Sequence, residues 1–329
     1  MKMLSKIALL CVLLLSASSV FGQNDEREKG IGLYNKGEYK QAVEALQKAV
    51  KTAPNDAQAQ TFLAMSQIKL GKFKDAEKSL VKSLALDPNQ PNARKALAYV
   101  YLLRNKLNDS IKQIEILSGI EAPDAESFYI LGVANLRLGN NDAALENADK
   151  AVKLNSKFAN AYFLKAQAIM NVWNGPKDYA SIAKKYGSSA ENIGKFILLS
   201  TETPEASFWR GQQETLRVFA AYYAEKEKNK SADESADENR RILPIKILNK
   251  PRVNYTDRAR QAGVQGTIRL LVAFAENGKV TNILVLKSLG YGLDEEALKA
   301  ARGIKFEPQL RDGKPVTTVK MVEYSFSIY

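Results

Sequence analysis

The sequence predicts a multidomain chain of α and α+β class, an all-α array of helical repeats followed by a small αβ domain with an antiparallel sheet. Three observations predict it. Residues recur at an interval of 34 through the first half, the pattern changes from helical to alternating at Pro251, and a charged, proline-free stretch separates the two patterns. With 329 residues, 45% of them hydrophobic, the chain can bury two packed cores.

Met1–Gly22 opens with Lys2 and Lys6, continues as an apolar run from Ile7 to Leu15, and ends in small residues with Val20-Phe21-Gly22 as a cleavage site. It reads as a signal peptide. From Ile7 to Gly22 the stretch is shorter than the ~20 apolar residues of a spanning helix, and Ser16, Ser18 and Ser19 dilute it, so cleavage is expected over a lasting inner-membrane anchor. No later segment is apolar enough to span. Cys11, the one cysteine, leaves with the leader, and there is no histidine. His-based acid–base catalysis, Ser-His and Cys-His nucleophiles, disulfides and His or Cys metal sites are thereby excluded, and no metal or cofactor is expected.

The first domain is read over residues 23–224. Pro54 and Pro88 stand 34 residues apart, and at the same interval Gly37 answers Gly71, Tyr39 answers Phe73, Ala42 answers Ala76 and Leu46 answers Leu80. Each unit carries an apolar stripe at helical spacing, a Gly or Asn turn, a second stripe and a proline stop, the pattern of a helical hairpin that needs neighbours to bury its face. Gly30, Ala64, Ala98, Gly132 and Ala166 fall where two helices of a hairpin approach closely. The period and these residues resemble the tetratricopeptide (TPR) repeat, in five units. The third is degenerate, with Ser110 and Leu117 in place of small residues, and the fifth is interrupted at Asn174-Gly175-Pro176.

Helical signals continue to about Lys228. Ser188 with Glu191 reads as a capping box, Thr203-Pro204-Glu205 as a helix start, and Trp209, Leu216, Phe219, Ala220 and Tyr223 as one helix face, an irregular end to the solenoid. Residues 225–242, with the near-duplicates Ser231–Glu234 and Ser235–Glu238, read as a charged linker.

The second domain is read over residues 243–329. Ile268, Leu270, Val272 and Phe274 alternate, Asn277-Gly278 suits a two-residue type I′ turn, and Val280–Leu286 returns as the partner strand. Asp294 is expected to cap a helix holding Glu295, Glu296, Ala297, Ala300 and Ala301, and Thr317–Ile328 alternates as a last strand. Pro251, Tyr255, Ala259, Gly263, Gly266, Asn277-Gly278-Lys279-Val280, Ser288, Gly290, Leu293-Asp294, Ala297, Phe306, Pro308, Gly313 and Pro315 together resemble the C-terminal domain of the TonB family, over the whole module. Two departures stand out. Thr256 takes the place of the family's proline, and the anchor histidine and proline-rich rod of its energy-transducing members are missing.

The resemblance implies binding by strand addition, in which an extended segment of an outer-membrane receptor pairs with an edge strand. The corresponding edge is Thr317, Thr318, Val319, Lys320, Met321, Val322, Glu323, Tyr324 and Ser325. The same exposed strand can also pair with its own copy, and its charges can serve to blunt it. Resemblance to TPR proteins puts Tyr34, Asn35, Thr61, Lys69, Lys95, Tyr99, Tyr129, Arg137, Phe163 and Gln167 on or near a concave, peptide-binding face. From Arg241 onward there are fifteen Lys/Arg against eight Asp/Glu, a basic surface suited to acidic protein segments or anionic lipid rather than nucleic acid. Asp233-Glu234 and Glu295-Glu296 are explained by a linker and a helix's first turn, and no nucleophile–base pair, phosphate loop or small-molecule site is read.

The expectation is a periplasmic, non-enzymatic adaptor with protein or peptide partners in the cell envelope. Two alternatives stay open. One is a membrane-anchored TonB-type energy transducer for outer-membrane transport; the other is a scaffold resting on anionic envelope polymer.

Overall fold

The computed structural model describes residues 25–172, 178–200, 204–230 and 241–327. The expected leader, the interruption at Asn174-Gly175-Pro176, Thr203 and the centre of the charged segment lie outside them. The chain divides into two compact units, Met1–Ser156 and Lys157–Tyr329.

The first unit is a run of helical hairpins. Residues 25–35 form α1, followed by α2 (Tyr39–Thr52), α3 (Ala57–Lys69), α4 (Phe73–Leu86), α5 (Pro91–Leu103), α6 (Leu107–Ser118), α7 (Ala125–Leu138) and α8 (Asn141–Leu154). The turn between the helices of each hairpin has one geometry throughout. Gly37, Gly71, Asn105 and Gly139, spaced by 34, all take positive φ (81°, 72°, 57° and 85°). In each, the next residue's N–H reaches back to a carbonyl five residues earlier: Glu38 to Leu33, Lys72 to Gln67, Lys106 to Tyr101 and Asn140 to Asn135, at 2.8–2.9 Å. These bonds satisfy carbonyls that the helix end leaves open.

Packing follows the same period. Ala64, Ala98 and Ala166 are buried, and a Cβ on Gly30 would stand 2.5 Å from Leu46 Cγ, a fully buried side chain with nowhere to go. The degenerate third repeat is satisfied differently. Ser110, where a small apolar residue is usual, is fully buried and donates to the Ala98 carbonyl at 2.7 Å, while Leu117 joins Ala98, Ile114 and Ile130 in the core. A second ladder ties one repeat to the next. Arg27, Thr61 and Lys95, again at the 34-residue interval, reach Asp56, Gln90 and Asp124, the N-cap residues of α3, α5 and α7.

The second unit contains α9 (Ala159–Asn171), α10 (Tyr179–Leu199) and α11 (Pro204–Lys228) together with the αβ module. Its sheet elements are β1 (Ile242–Leu243), β2 (Lys246–Asn249), β3 (Gly266–Phe274), β4 (Val280–Lys287), β5 (Lys305–Glu307), β6 (Gln309–Arg311), β7 (Lys314–Val316) and β8 (Thr318–Phe326). Two helices complete it, α12 (Asp257–Gln261) and α13 (Leu293–Arg302). The principal sheet is antiparallel in the order β4-β3-β8, with β1-β6-β7 and β2-β5 as small companions.

Both faces of the principal sheet are covered. Ile268, Leu270, Val272 and Phe274 of β3, with Tyr324 and Phe326 of β8, pack on Leu293, Ala297 and Ala301 of α13. Leu271 and Ala273 of β3, Leu284 of β4 and Val319 of β8 point the other way and pack on Tyr186, Ala190 and Ile193 of α10 and Leu216 and Phe219 of α11. The two long helices read as the solenoid's end therefore belong to the sheet's own core. Of residues 225–242, the first four complete α11 and Ile242 opens β1.

Three local expectations are corrected. Gly278 has φ 78° but Asn277 does not share the positive φ that a type I′ turn needs. The Gly278 amide instead bonds the Ala275 carbonyl and the Ala275 amide bonds Lys279, a three-residue loop closed by a left-handed glycine. Asp294 is not a helix cap: Gly292 occupies that position, and the buried Asp294 carboxylate accepts from the amides of Leu289 and Gly290 (3.1 and 3.2 Å) and from Ser288 Oγ, fixing the loop that enters α13. Ser188 and Glu191 lie inside α10, whose start is capped by Asp178 accepting from the Ser181 amide at 2.7 Å.

Two outcomes follow. Asn105→Gly removes the one non-glycine from the left-handed repeat turns and should raise stability by up to about 1 kcal/mol, and Asn105→Ala should lower it, both read by thermal unfolding. A fragment of residues 243–329 loses the cover over Leu271 and Leu284, each worth about 2 kcal/mol when buried. In sedimentation it should self-associate, whereas residues 157–329 should run as a monomer.

Candidate functional site

The first candidate surface lies in the first unit. Tyr34 of α1, Met65, Ile68 and Lys69 of α3, Asn92, Lys95, Ala96 and Tyr99 of α5, and Glu126 of α7 line a cavity of about 250 Å³. All its residues come from first helices of the hairpins or their first turns, so the 34-residue period generates the groove. Four residues expected on this face are in it: Tyr34, Lys69, Lys95 and Tyr99. Met65 is the counterpart of Tyr99 one repeat earlier, and the period itself could have found it.

The remaining expected residues are placed differently. Thr61 is buried between repeats, 2.7 Å from Ser83 Oγ and 3.1 Å from Gln90 Oε1. Asn35 and Arg137 are exposed, and Arg137 Nη1 donates to the Leu102 carbonyl at 2.9 Å. Tyr129 is half-buried, its phenol pushed up by burial and then by Tyr99, with Arg137 opposing. Phe163 and Gln167 belong to the second unit, where Phe163 packs on Phe196 and Trp209 at centroid distances of 5.0 and 4.6 Å.

Electrostatics in the groove centre on Lys95. Its Nζ lies 2.7 Å from Asp124 and 3.2 Å from Glu126. Burial lowers its pKa, but those two carboxylates outweigh burial and hold it above the usual lysine value. Burial likewise raises Asp124, yet bonds from Lys95 and from the Ser127 amide and hydroxyl hold it below the usual carboxyl range. Tyr34 is raised, mainly by burial and then by Tyr39 and Glu126. Lys69 is exposed at the rim.

The second candidate surface is the edge of β8. Residues Thr318 to Phe326 pair with β3 without a break, from Phe274↔Thr318 to Gly266↔Phe326, and among the described residues no strand flanks β8 on its other side. Thr317 precedes the strand, its Oγ1 accepting from the Glu276 amide at 3.4 Å. Val319 lies on the α10–α11 side; Lys320, Met321, Glu323 and Ser325 are exposed; Val322 is half-buried; and Thr318 and Tyr324 are buried. Burial pushes the Tyr324 phenol up to about 12.

The register fixes which backbone groups of β8 face outward. On β4 a side chain of α11 bonds the Ile283 carbonyl and the Val285 amide from outside, so the peptide groups of Leu284 face β3, at Leu271. Alternation along β3 then assigns its odd-numbered residues to β4 and its even-numbered ones to β8. In β8 the peptide groups of Met321, Glu323 and Ser325, opposite Leu271, Arg269 and Thr267, therefore point to solvent. A contact missed by sequence reasoning agrees: Lys250 Nζ donates to the Glu323 carbonyl at 2.6 Å and lies 4.6 Å from the Tyr324 ring centroid. Arg269–Glu323 (2.8 Å) and Thr267–Ser325 (3.2 Å) link β3 to β8 across the sheet.

Comparison with known proteins agrees with both halves. Residues 33–82, 63–125 and 125–158 match tetratricopeptide repeat models, and residues 251–328 match the model described as Gram-negative bacterial TonB protein C-terminal. The chain joins tetratricopeptide repeats to a TonB C-terminal domain. Both are interaction domains, so protein recognition is the general role they carry.

Among solved structures, one titled as a functional characterisation of Pseudomonas aeruginosa pilF is similar at 16% identity, covering 67% of this chain and 97% of its own, with a TM-score of 0.49. MamA of AMB-1 is similar at 20% identity over 57% of this chain and 97% of its own, TM-score 0.43. A thermophilic TPR protein of Thermus thermophilus is similar at 18% identity over 60% of this chain and 99% of its own, TM-score 0.44. Among curated proteins, none matches this chain. No described helix is long and apolar enough to cross a membrane, and the described residues hold no metal-ligating cluster.

Asp124 tests the groove's scaffold. Asp124→Ala removes an N-cap and should destabilise the first unit by about 1 kcal/mol at neutral pH. Because the folded pKa is depressed, that contribution is present above the unfolded carboxyl's pKa and is lost as pH falls through the folded value. Thermal unfolding of the two proteins should converge in acid.

Proposed function

We propose that this chain is a cell-envelope interaction adaptor: the open edge of β8 takes an extended segment of an envelope protein as an added strand, and the groove of the first unit holds a second protein. Support comes above all from the edge itself. Nine residues of β8 pair on one side only, and the outward peptide groups of Met321, Glu323 and Ser325 offer donors and acceptors at the spacing that a new strand engages. Lys250, seated on the Glu323 carbonyl, is the contact an incoming strand has to displace.

The groove suits a segment with apolar and acidic side chains. Tyr34, Met65, Ile68 and Tyr99 supply apolar surface, and Lys69 supplies positive charge at the rim. Localisation in the periplasm of a Gram-negative envelope and delivery by a cleaved leader belong to the same proposal.

Met321→Pro tests it. Proline there removes an outward N–H while leaving the ladder to β3 intact, because the Met321 amide is not among those facing β3. The full-length protein should lose at least about tenfold in affinity for envelope proteins retained by the wild type, with thermal unfolding little changed. Retention equal to wild type would sink strand addition at β8.

A further inference from the structure

The principal sheet has two outer strands, and among the described residues β8 has no neighbouring strand or helix side chain along its edge ladder comparable to the one on β4. Along β4 lies the side chain of Gln212, on α11 and only 5% exposed. Its Nε2 donates to the Ile283 carbonyl at 3.2 Å, and its Oε1 accepts from the Val285 amide at 2.8 Å. A carboxamide carries the same donor and acceptor as a peptide group, and these two backbone groups, a carbonyl and the amide two residues further on, are the pair that one residue of a neighbouring parallel strand would bond. Gln212 stands where that residue would be.

Its position is fixed from both sides. Leu216 and Phe219, one and two turns further along α11, are buried against Leu271, Ala273 and Leu284, while the neighbouring Gln213 turns the other way and donates to the Ala190 carbonyl of α10 at 3.1 Å. The two outer strands also differ in chemistry. β8 carries Lys320 and Glu323, charges that discourage unspecific pairing, whereas β4 reads VTNILVLK and has no charge before Lys287. An open β4 would be the stickier edge.

We propose that Gln212 decides which edge of the sheet accepts a partner: it closes β4 as a one-residue strand surrogate and so directs strand addition to β8. This rests on the strand-addition function proposed above. It also defines β4 as a latent second edge, whose occupant when uncovered would be a second copy of this chain.

The test uses the full-length protein and Gln212→Met, which keeps the length and flexibility of the side chain but makes neither bond. Amide hydrogen exchange at Val285 should quicken roughly tenfold, the effect of losing about one hydrogen bond. Sedimentation should show a dimer that grows with concentration. Adding Val280→Pro, which removes an outward N–H at the first residue of β4, opposite Phe274, should abolish the dimer, and adding Met321→Pro should not. Unchanged Val285 exchange, faster exchange with no dimer, or a dimer that responds to Met321→Pro would each overturn the proposal. If Gln212→Met fails to fold, the same readouts apply to Gln212→Asn, whose amide falls one methylene short. None of these measurements needs a partner protein: a β8 that binds nothing sinks the proposed function, whereas unaltered Val285 exchange sinks the role of Gln212 alone.

Discussion

A strand that is apolar on both faces has to be covered on both faces, and the run Leu270–Ala275 imposes that condition on the second unit. Burial is nearly continuous along β3 from Leu270 onward, with no polar side to turn to water. One cover is the module's own α13. The other is the pair α10 and α11, which contribute Tyr186, Ile193, Leu216 and Phe219. The TonB C-terminal domain here is thus not a free body at the end of a tether but one layer of a helix–sheet–helix unit.

The edges follow from that cover. Seating α11 on the sheet carries Gln212 to β4 and leaves β8 unflanked, so one packing requirement yields one closed edge and one open edge. In the first unit the equivalent discipline is the 34-residue period. Left-handed turns at Gly37, Gly71, Asn105 and Gly139 set the angle of each hairpin, the ladder from Arg27, Thr61 and Lys95 sets the stacking of one hairpin on the next, and the groove from Tyr34 to Tyr99 is what remains between the first helices.

Most of this architecture is legible in the sequence because it rests on local chemistry. The repeats announce themselves through glycine, alanine and proline at fixed spacing, and the β3–β4 hairpin and β8 through alternation. Failures arise where a residue has two local options and tertiary context chooses. Asn277-Gly278 fits a two-residue turn, yet Glu276 joins the loop; Asp294 fits a cap, yet it is drawn into the loop before α13; Ser188 fits a helix start, yet α10 runs straight through it. Thr61 and Lys95 lie on the expected helices, but their polar groups are used between repeats. Gln212 is invisible from sequence because its partners lie about 70 residues away. One signal was there: LLVAFA at 270–275 is an unbroken apolar run, which calls for a second cover that a half-exposed strand would not need.

The most direct test of the asymmetry between the two edges is amide hydrogen exchange on the unmodified full-length protein, resolved residue by residue along β4 and β8. Protection at Val285 together with rapid exchange at Met321, Glu323 and Ser325 is the result expected of a sheet with one closed and one open edge. Equal protection along both strands, or faster exchange at Val285 than at those three amides, would contradict it.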